Sequence, residues 1–205
     1  MDIYKDFQGI PTGNIADSQD FRGVMDAGIQ PLDRKMQVVG RALTVACAAG
    51  DNLTIHKAVL MAQPGDVLVV SCGGYVNCGV FGEMLAISCQ AKGIAGIIID
   101  GSCRDSLELI EMNFPTYVRG VNPNGTIKET CGAVNGKILC GGVWVEGGDV
   151  IVADADGVVV VKPEEAPQVL KKAAAKKERE AQLRPLLAAG ITTAELLGLM
   201  DKIQM

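Results

Sequence analysis

Four side chains in one part of the sequence have the types that carbonyl chemistry needs. Glu83 stands at the head of an expected helix, Arg104 and Asp105 sit side by side after a gap of twenty residues, and Glu108 follows on the next helical turn. Arginine is a permanent cation with a fixed fork of N–H donors, suited to a carboxylate or to an oxyanion that forms during reaction. Asp105, with Glu83 and Glu108 close in sequence, offers hard oxygen ligands to a divalent ion that keeps several waters, as magnesium does. The N–H groups of Gly82, Glu83, Met84 and Leu85 at a helix start make a place for a small anion such as a carboxylate. A purely structural role is the alternative. Asp105 would then cap a helix over 105–113, and Arg104 would pair with a surface carboxylate.

Which role holds depends on the elements that position these residues. PGDVLVVSC (64–72) reads as a turn and a buried strand, CGGYVNCGVF (72–81) as a loop, and 82–92 as a helix closed by Gly93. IAGIIID (94–100) reads as a second buried strand, followed by a GSC turn and the helix that RDSLELIEMN begins. A strand, helix, strand succession makes its two strands parallel. Its helix N-terminus and both strand ends then lie on the carboxyl edge of the sheet, where open α/β sheets bind ligands. On that reading Glu83 and Arg104-Asp105 meet at one cleft.

Elsewhere a short helix is expected from Thr12, one or two strands over 35–49, and a helix in DNLTIHKAVLMAQ capped by Asp51 or Asn52. FPTYVRGVNP returns as a strand. Residues 132–166 read as short strands joined by turns, which predicts a second sheet. From Pro163 onward the chain becomes a charged helix carrying KKAAAKKERE, with few apolar residues to bury against its own domain. Two units follow: a core over 1–162 with the site, and C-terminal helices over 163–205 that lie across a neighbouring subunit or, as an alternative, face solvent.

Composition narrows the function classes. The net charge of −5 leaves no excess of cations for phosphates, so nucleic acid is not an expected partner. Seven cysteines without a CxxC pair, an odd number, point to free thiols in a reducing cytoplasm, most of them small core residues. No apolar run reaches the ~18 residues of a membrane span, and the N-terminus does not read as a leader. The lysines flank loops or crowd the C-terminal helix, which disfavours Schiff-base chemistry on a desolvated lysine. His56 is the only histidine and falls within a helix, where a surface or interface role is expected rather than catalysis. The glycines of CGGYVNCGVFG spell neither a dinucleotide fingerprint nor a P-loop, and ADADG lacks the spacing of a calcium loop.

The pattern Glu83, twenty residues, Arg104-Asp105, two residues, Glu108 resembles the (D/E)-x20-R-D-x2-(E/D) signature of the RraA-like family. IPTGNIADS, GRALTV, GDNLTIHKAV, QPGDVLVV, FPTYVRGVNPNG and EGGDVIVADADGVVVV extend the resemblance over most of the chain. That family includes class II aldolases acting on 4-hydroxy-4-methyl-2-oxoglutarate and 4-carboxy-4-hydroxy-2-oxoadipate. The resemblance implies an α/β fold of the αββα sandwich type with a C-terminal helical extension, assembled as a homotrimer or hexamer with sites between subunits. It implies a small 2-oxo acid substrate whose carboxylate is held by the amides of Gly82 to Leu85, and Arg104 on the carbonyl oxygen that becomes an enolate. It implies Mg2+ or Mn2+ anchored by Asp105, catalytic help from Glu83, and an acid from a neighbour's C-terminal helix, Glu180 first and Glu178 next. SCGGYVNCG departs from the aspartate and glycines common in relatives after that strand, which bears on substrate choice. The family also contains non-enzymatic regulators that bind and inhibit a ribonuclease, and these are the alternative function.

Overall fold

The runs VLVV and GIII lie side by side as parallel strands, and their continuous apolar character follows from cover on both faces. The computed structural model describes residues 3–203. Its helices are α1 (Ile3–Asp6), α2 (Thr12–Ser18), α3 (Leu53–Met61), α4 (Glu83–Ala91), α5 (Ser106–Glu111), α6 (Ala166–Ala188), α7 (Thr193–Leu196) and α8 (Met200–Ile203). Its strands are β1 (Gln30–Pro31), β2 (Val38–Ala46), β3 (Asp66–Phe81), β4 (Gly96–Cys103), β5 (Thr116–Val121), β6 (Ile138–Cys140), β7 (Val143–Val145), β8 (Val150–Asp154) and β9 (Gly157–Val161). Among the described residues, seven strands form one sheet in the order β1-β5-β4-β3-β2-β8-β9, and β6 pairs with β7 apart from it. The strands from β2 to β5 run parallel to one another, joined by α3, α4 and α5.

Three apolar clusters define the layers. Leu43, Val45, Leu68, Val70, Ile97 and Ile99 face Ile55, Val59, Ala86 and Leu109 from the three crossover helices. Their neighbours Val67, Val69 and Ile98 face the opposite way, into a cluster shared with Ile151, Ala153, Val158 and Val160 of β8 and β9. The β6–β7 ribbon adds Ile138, Cys140 and Val145 to that cluster. The far face of β8 and β9 packs Val150, Val152, Val159 and Val161 against Phe7, Ile15 and the start of α6. The order is helix, strand, strand, helix, with a single curled sheet providing both strand layers. Val24 bridges to Val159 at one margin of that sheet and Gln30 pairs with Val118 at the other, so the segment between them ties the margins together.

Four readings of the sequence change. Residues 72–81, expected as a loop, continue β3, with shifts of register that let Ser71 to Phe81 pair across Asp100 to Cys103. Gly73 and Gly74, at φ of 63° and 74°, supply the left-handed backbone of that excursion. The expected GSC turn is likewise the end of β4, whose residues are all buried. Of the strands over 132–166, β8 and β9 extend the main sheet, and only the β6–β7 ribbon stands apart. The first half of α6 does bury itself in its own chain through Ala166, Val169 and Ala173. Leu186, Leu187, Ile191, Leu197, Met200 and Ile203 beyond it are exposed.

Candidate active site

The crossover from β3 through α4 to β4 brings its two ends together, as parallel pairing requires. The Arg104 N–H donates to the Phe81 carbonyl at 2.8 Å, which fixes the start of the Arg104-Asp105 pair beside the end of β3. Two glycines permit this approach. A Cβ on Gly79 would lie 2.7 Å from Arg104 Cβ, and one on Gly82 would lie 2.4 Å from Asp105 Oδ2.

Asp105 has left-handed backbone, φ 53° and ψ 44°, which aspartate tolerates better than most residues. It occupies the N-cap position of α5, yet its side chain accepts no capping bond there. Its Oδ2 instead accepts the N–H of Glu83, at the head of α4, at 3.1 Å. Arg104 Nε stands 3.6 Å from the same oxygen. The capping role that the sequence allowed is thus not the one adopted, and the carboxylate crosses to the neighbouring helix.

A cavity of about 200 Å³ opens at this junction. Gly82, Met84, Leu85, Arg104 and Asp105 line it, together with Asn52 and His56 from the α3 region and Gly125, Thr126 and Lys128 from the loop after β5. Glu83 is not among the lining residues, and its side chain is half-buried. Of the four amides proposed for an anion, that of Glu83 donates to Asp105 and that of Leu85 to the Gly82 carbonyl at 3.1 Å. Glu108 is exposed on α5 and is not among the lining residues. Within the chain, Glu180 accepts from Asn14 Nδ2 at 3.0 Å and stands 4.0 Å from Lys176 Nζ, while Glu178 is exposed. Neither lines this cavity.

Asn52, His56 and Lys128 form a wall of the cavity that the sequence pattern does not announce. Asn52 Nδ2 donates to the Val80 carbonyl at 2.9 Å, but Asn52 Oδ1 and His56 Nε2 are buried without a protein partner. Buried polar atoms are nearly always hydrogen-bonded, so two in one cavity lining mark a place where a ligand or water belongs. Burial, and then the nearby Lys128 charge, hold the His56 imidazole below its usual pKa and favour its neutral form. The available sequence signal is the spacing of Asn52 and His56, one helical turn apart. Nothing local to 125–128 announces its part.

The donor set selects the kind of cation that fits. Among the described residues, no group of three or more His, Cys, Asp or Glu side chains gathers as a metal site. Asp105 presents a partly exposed carboxylate at the cavity. One carboxylate suits a magnesium-like ion that keeps most of its water and does not suit a structural zinc site.

The layered fold and this junction define a class, and comparison with known proteins gives it a name. Residues 12–160 match the RraA-like family model, described as Aldolase/RraA, and the chain belongs to that family. A relative from Halalkalibacterium halodurans, carrying the provisional name 4-hydroxy-4-methyl-2-oxoglutarate aldolase, is 39% identical over 84% of this chain and 82% of its own. Among solved structures, an uncharacterized protein from Pseudomonas syringae superposes with a TM-score of 0.84 at 27% identity, covering 93% of this chain and 90% of that one. Streptomyces coelicolor RraAS2, described as an unusual member of the RNase ES inhibitor RraA protein family, superposes at 0.79 with 27% identity over 89% and 96% of the two chains. Among the described residues no helix is long and apolar enough to cross a membrane.

Proposed function

We infer that this chain is a class II pyruvate aldolase that cleaves 4-hydroxy-4-methyl-2-oxoglutarate, or a related 4-hydroxy-2-oxo acid, to pyruvate with the help of Mg2+ or Mn2+. The observation that carries the reading is the turn of Asp105 away from its own helix, which sets its carboxylate and Arg104 beside the head of α4 in one cavity. The H. halodurans relative's name supports the substrate class.

Breaking the bond between C3 and C4 of such an acid leaves pyruvate as its enolate, so the rate depends on how well that charge is held. In this proposal the Gly82 and Met84 amides receive the C1 carboxylate, with those of Glu83 and Leu85 at the same helix start. Arg104 places its donors at the 2-oxo oxygen, where negative charge grows, and needs no reorganisation to do so. Asp105 holds the divalent ion, which when bound supplies Lewis-acid polarisation of the 2-oxo group. Glu83, or Glu180 of a neighbouring subunit with Glu178 as the next choice, steers the water that takes the proton of the C4 hydroxyl. Oxaloacetate passes through the same enolate on losing CO2, so decarboxylation accompanies cleavage.

The test couples pyruvate release to lactate dehydrogenase, with added divalent ion, with chelator, and with Arg104→Ala. Native protein with the ion releases pyruvate, chelator abolishes release, and Arg104→Ala lowers it by ~10²-fold or more. Folded protein without activity in any arm would sink the enzyme reading. It would favour a regulator that binds a ribonuclease, the reading supported by the description of the Streptomyces neighbour.

A further inference from the structure

Asp51 lies outside the cavity lining, yet its contacts organise one whole wall of it. Its side chain is 1% exposed. Oδ1 accepts the Leu53 N–H at 2.8 Å, at the first turn of α3, which carries His56 just after Asn52. Oδ2 accepts the N–H groups of Glu129 at 2.8 Å and Thr130 at 2.6 Å, immediately after Lys128. Backbone bonds run alongside: Asn52 N–H to the Ile127 carbonyl at 3.2 Å, and Ile127 N–H to the Gly50 carbonyl at 3.0 Å. One carboxylate thus joins two segments far apart in sequence, and both contribute residues to the cavity that Arg104 and Asp105 line.

We propose that Asp51 is a positioning residue of the site: its buried carboxylate fastens the loop bearing Thr126 and Lys128 to the start of α3, and so sets the spacing between Lys128, Asn52, His56 and the Arg104–Asp105 pair. Only a carboxylate serves. Three N–H donors converge on its two oxygens, and an amide in its place would turn a donor toward at least one of them. The depressed Asp51 pKa has the same origin: the Leu53 N–H lowers it most, burial opposes this, and the Thr130 and Glu129 N–H groups lower it further. The wall so held carries the two buried atoms without partners, Asn52 Oδ1 and His56 Nε2, so it has polar capacity left for a ligand group.

The experiment uses His56 as a reporter, since it is the only histidine in the chain. Its ring-proton titration is followed by NMR in native protein, Lys128→Ala and Asp51→Asn. Lys128→Ala raises the His56 pKa toward ~6.5, because a neighbouring positive charge is gone. Asp51→Asn raises it too, because the loop carries Lys128 away, and Lys128→Ala adds nothing further in the double variant. Removing one negative charge with the loop still in place would lower it instead, so a downward shift or none in folded Asp51→Asn overturns the proposal. If Asp51→Asn does not fold, Thr130→Pro takes its place, removing one loop N–H while the carboxylate stays.

A second arm rests on the aldolase reading: Asp51→Asn raises KM for the 4-hydroxy-2-oxo acid about tenfold or more while kcat stays within about threefold. A kcat loss at unchanged KM would count against positioning. Absence of turnover in native protein would sink the aldolase reading and leave the titration to decide on Asp51.

Discussion

At the residue scale, one backbone angle decides what Asp105 does. Extended backbone is the usual capping geometry; in the left-handed region Asp105 reaches α4 and accepts the Glu83 N–H. Gly82 leaves room for that carboxylate, and its own φ of −162° is ordinary extended backbone. Gly82→Ala therefore strains no dihedral but displaces Asp105, and if the proposed aldolase function holds it should lower pyruvate release about tenfold or more with a melting temperature within a few degrees of native. Equal losses of activity and stability would contradict this. His56 gives a prediction about pH. Its folded pKa is lowered, so between that value and the ~6.5 of the unfolded chain the unfolded state binds more protons, and stability rises with pH across the window. Urea midpoints should fall as pH is lowered through that range and level off below the folded pKa, and His56→Asn should lose this component. Glu83, Arg104 and Asp105 were legible because one crossover separates them. Asn52, His56 and Lys128 were not, because they meet through pairing of Asp51 with Ile127, a contact distant in sequence and without periodicity.

At the scale of elements, the parallel strands were legible for the reason they are stable. Ile97 and Ile99 face the helices, Ile98 faces the shared inner cluster, and none is exposed. Ile97→Ala and Ile98→Ala should each cost about 2–5 kcal/mol in urea unfolding despite facing opposite ways. Leu107→Ala on α5, where the side chain is 70% exposed, should cost no more than about 0.5 kcal/mol. The second half of β3 escaped the sequence reading because Gly73 and Gly74 resemble a turn. What keeps the segment in the sheet is its pairing with β4, visible only once both strands are placed. Local composition recorded the bulge and missed the partner.

At the scale of the whole molecule, the C-terminal region is divided. The first half of α6 belongs to the core through Val169 and Ala173, while α7 and α8 bury no residue. Exposed apolar side chains from Leu186 to Ile203 leave a surface that a neighbouring subunit would cover. Sedimentation equilibrium should return the mass of a trimer or hexamer, and a Leu186→Glu, Leu187→Glu double variant should shift it downward without loss of the cooperative fold. A native monomer would remove the setting in which Glu180 serves another subunit's cavity. The order of the sheet also bears on how the protein is made. β2 lies between β3 and β8, so the Val38–Arg41 stretch of one side of the strand has no partner until residues 150–154 have been translated. Ribosome-arrested chains ending near residue 140 should be cleaved by protease within β2 and bind chaperones, and released full-length chains should resist. Late translation of β8 thus imposes a vulnerable interval on every newly synthesised copy.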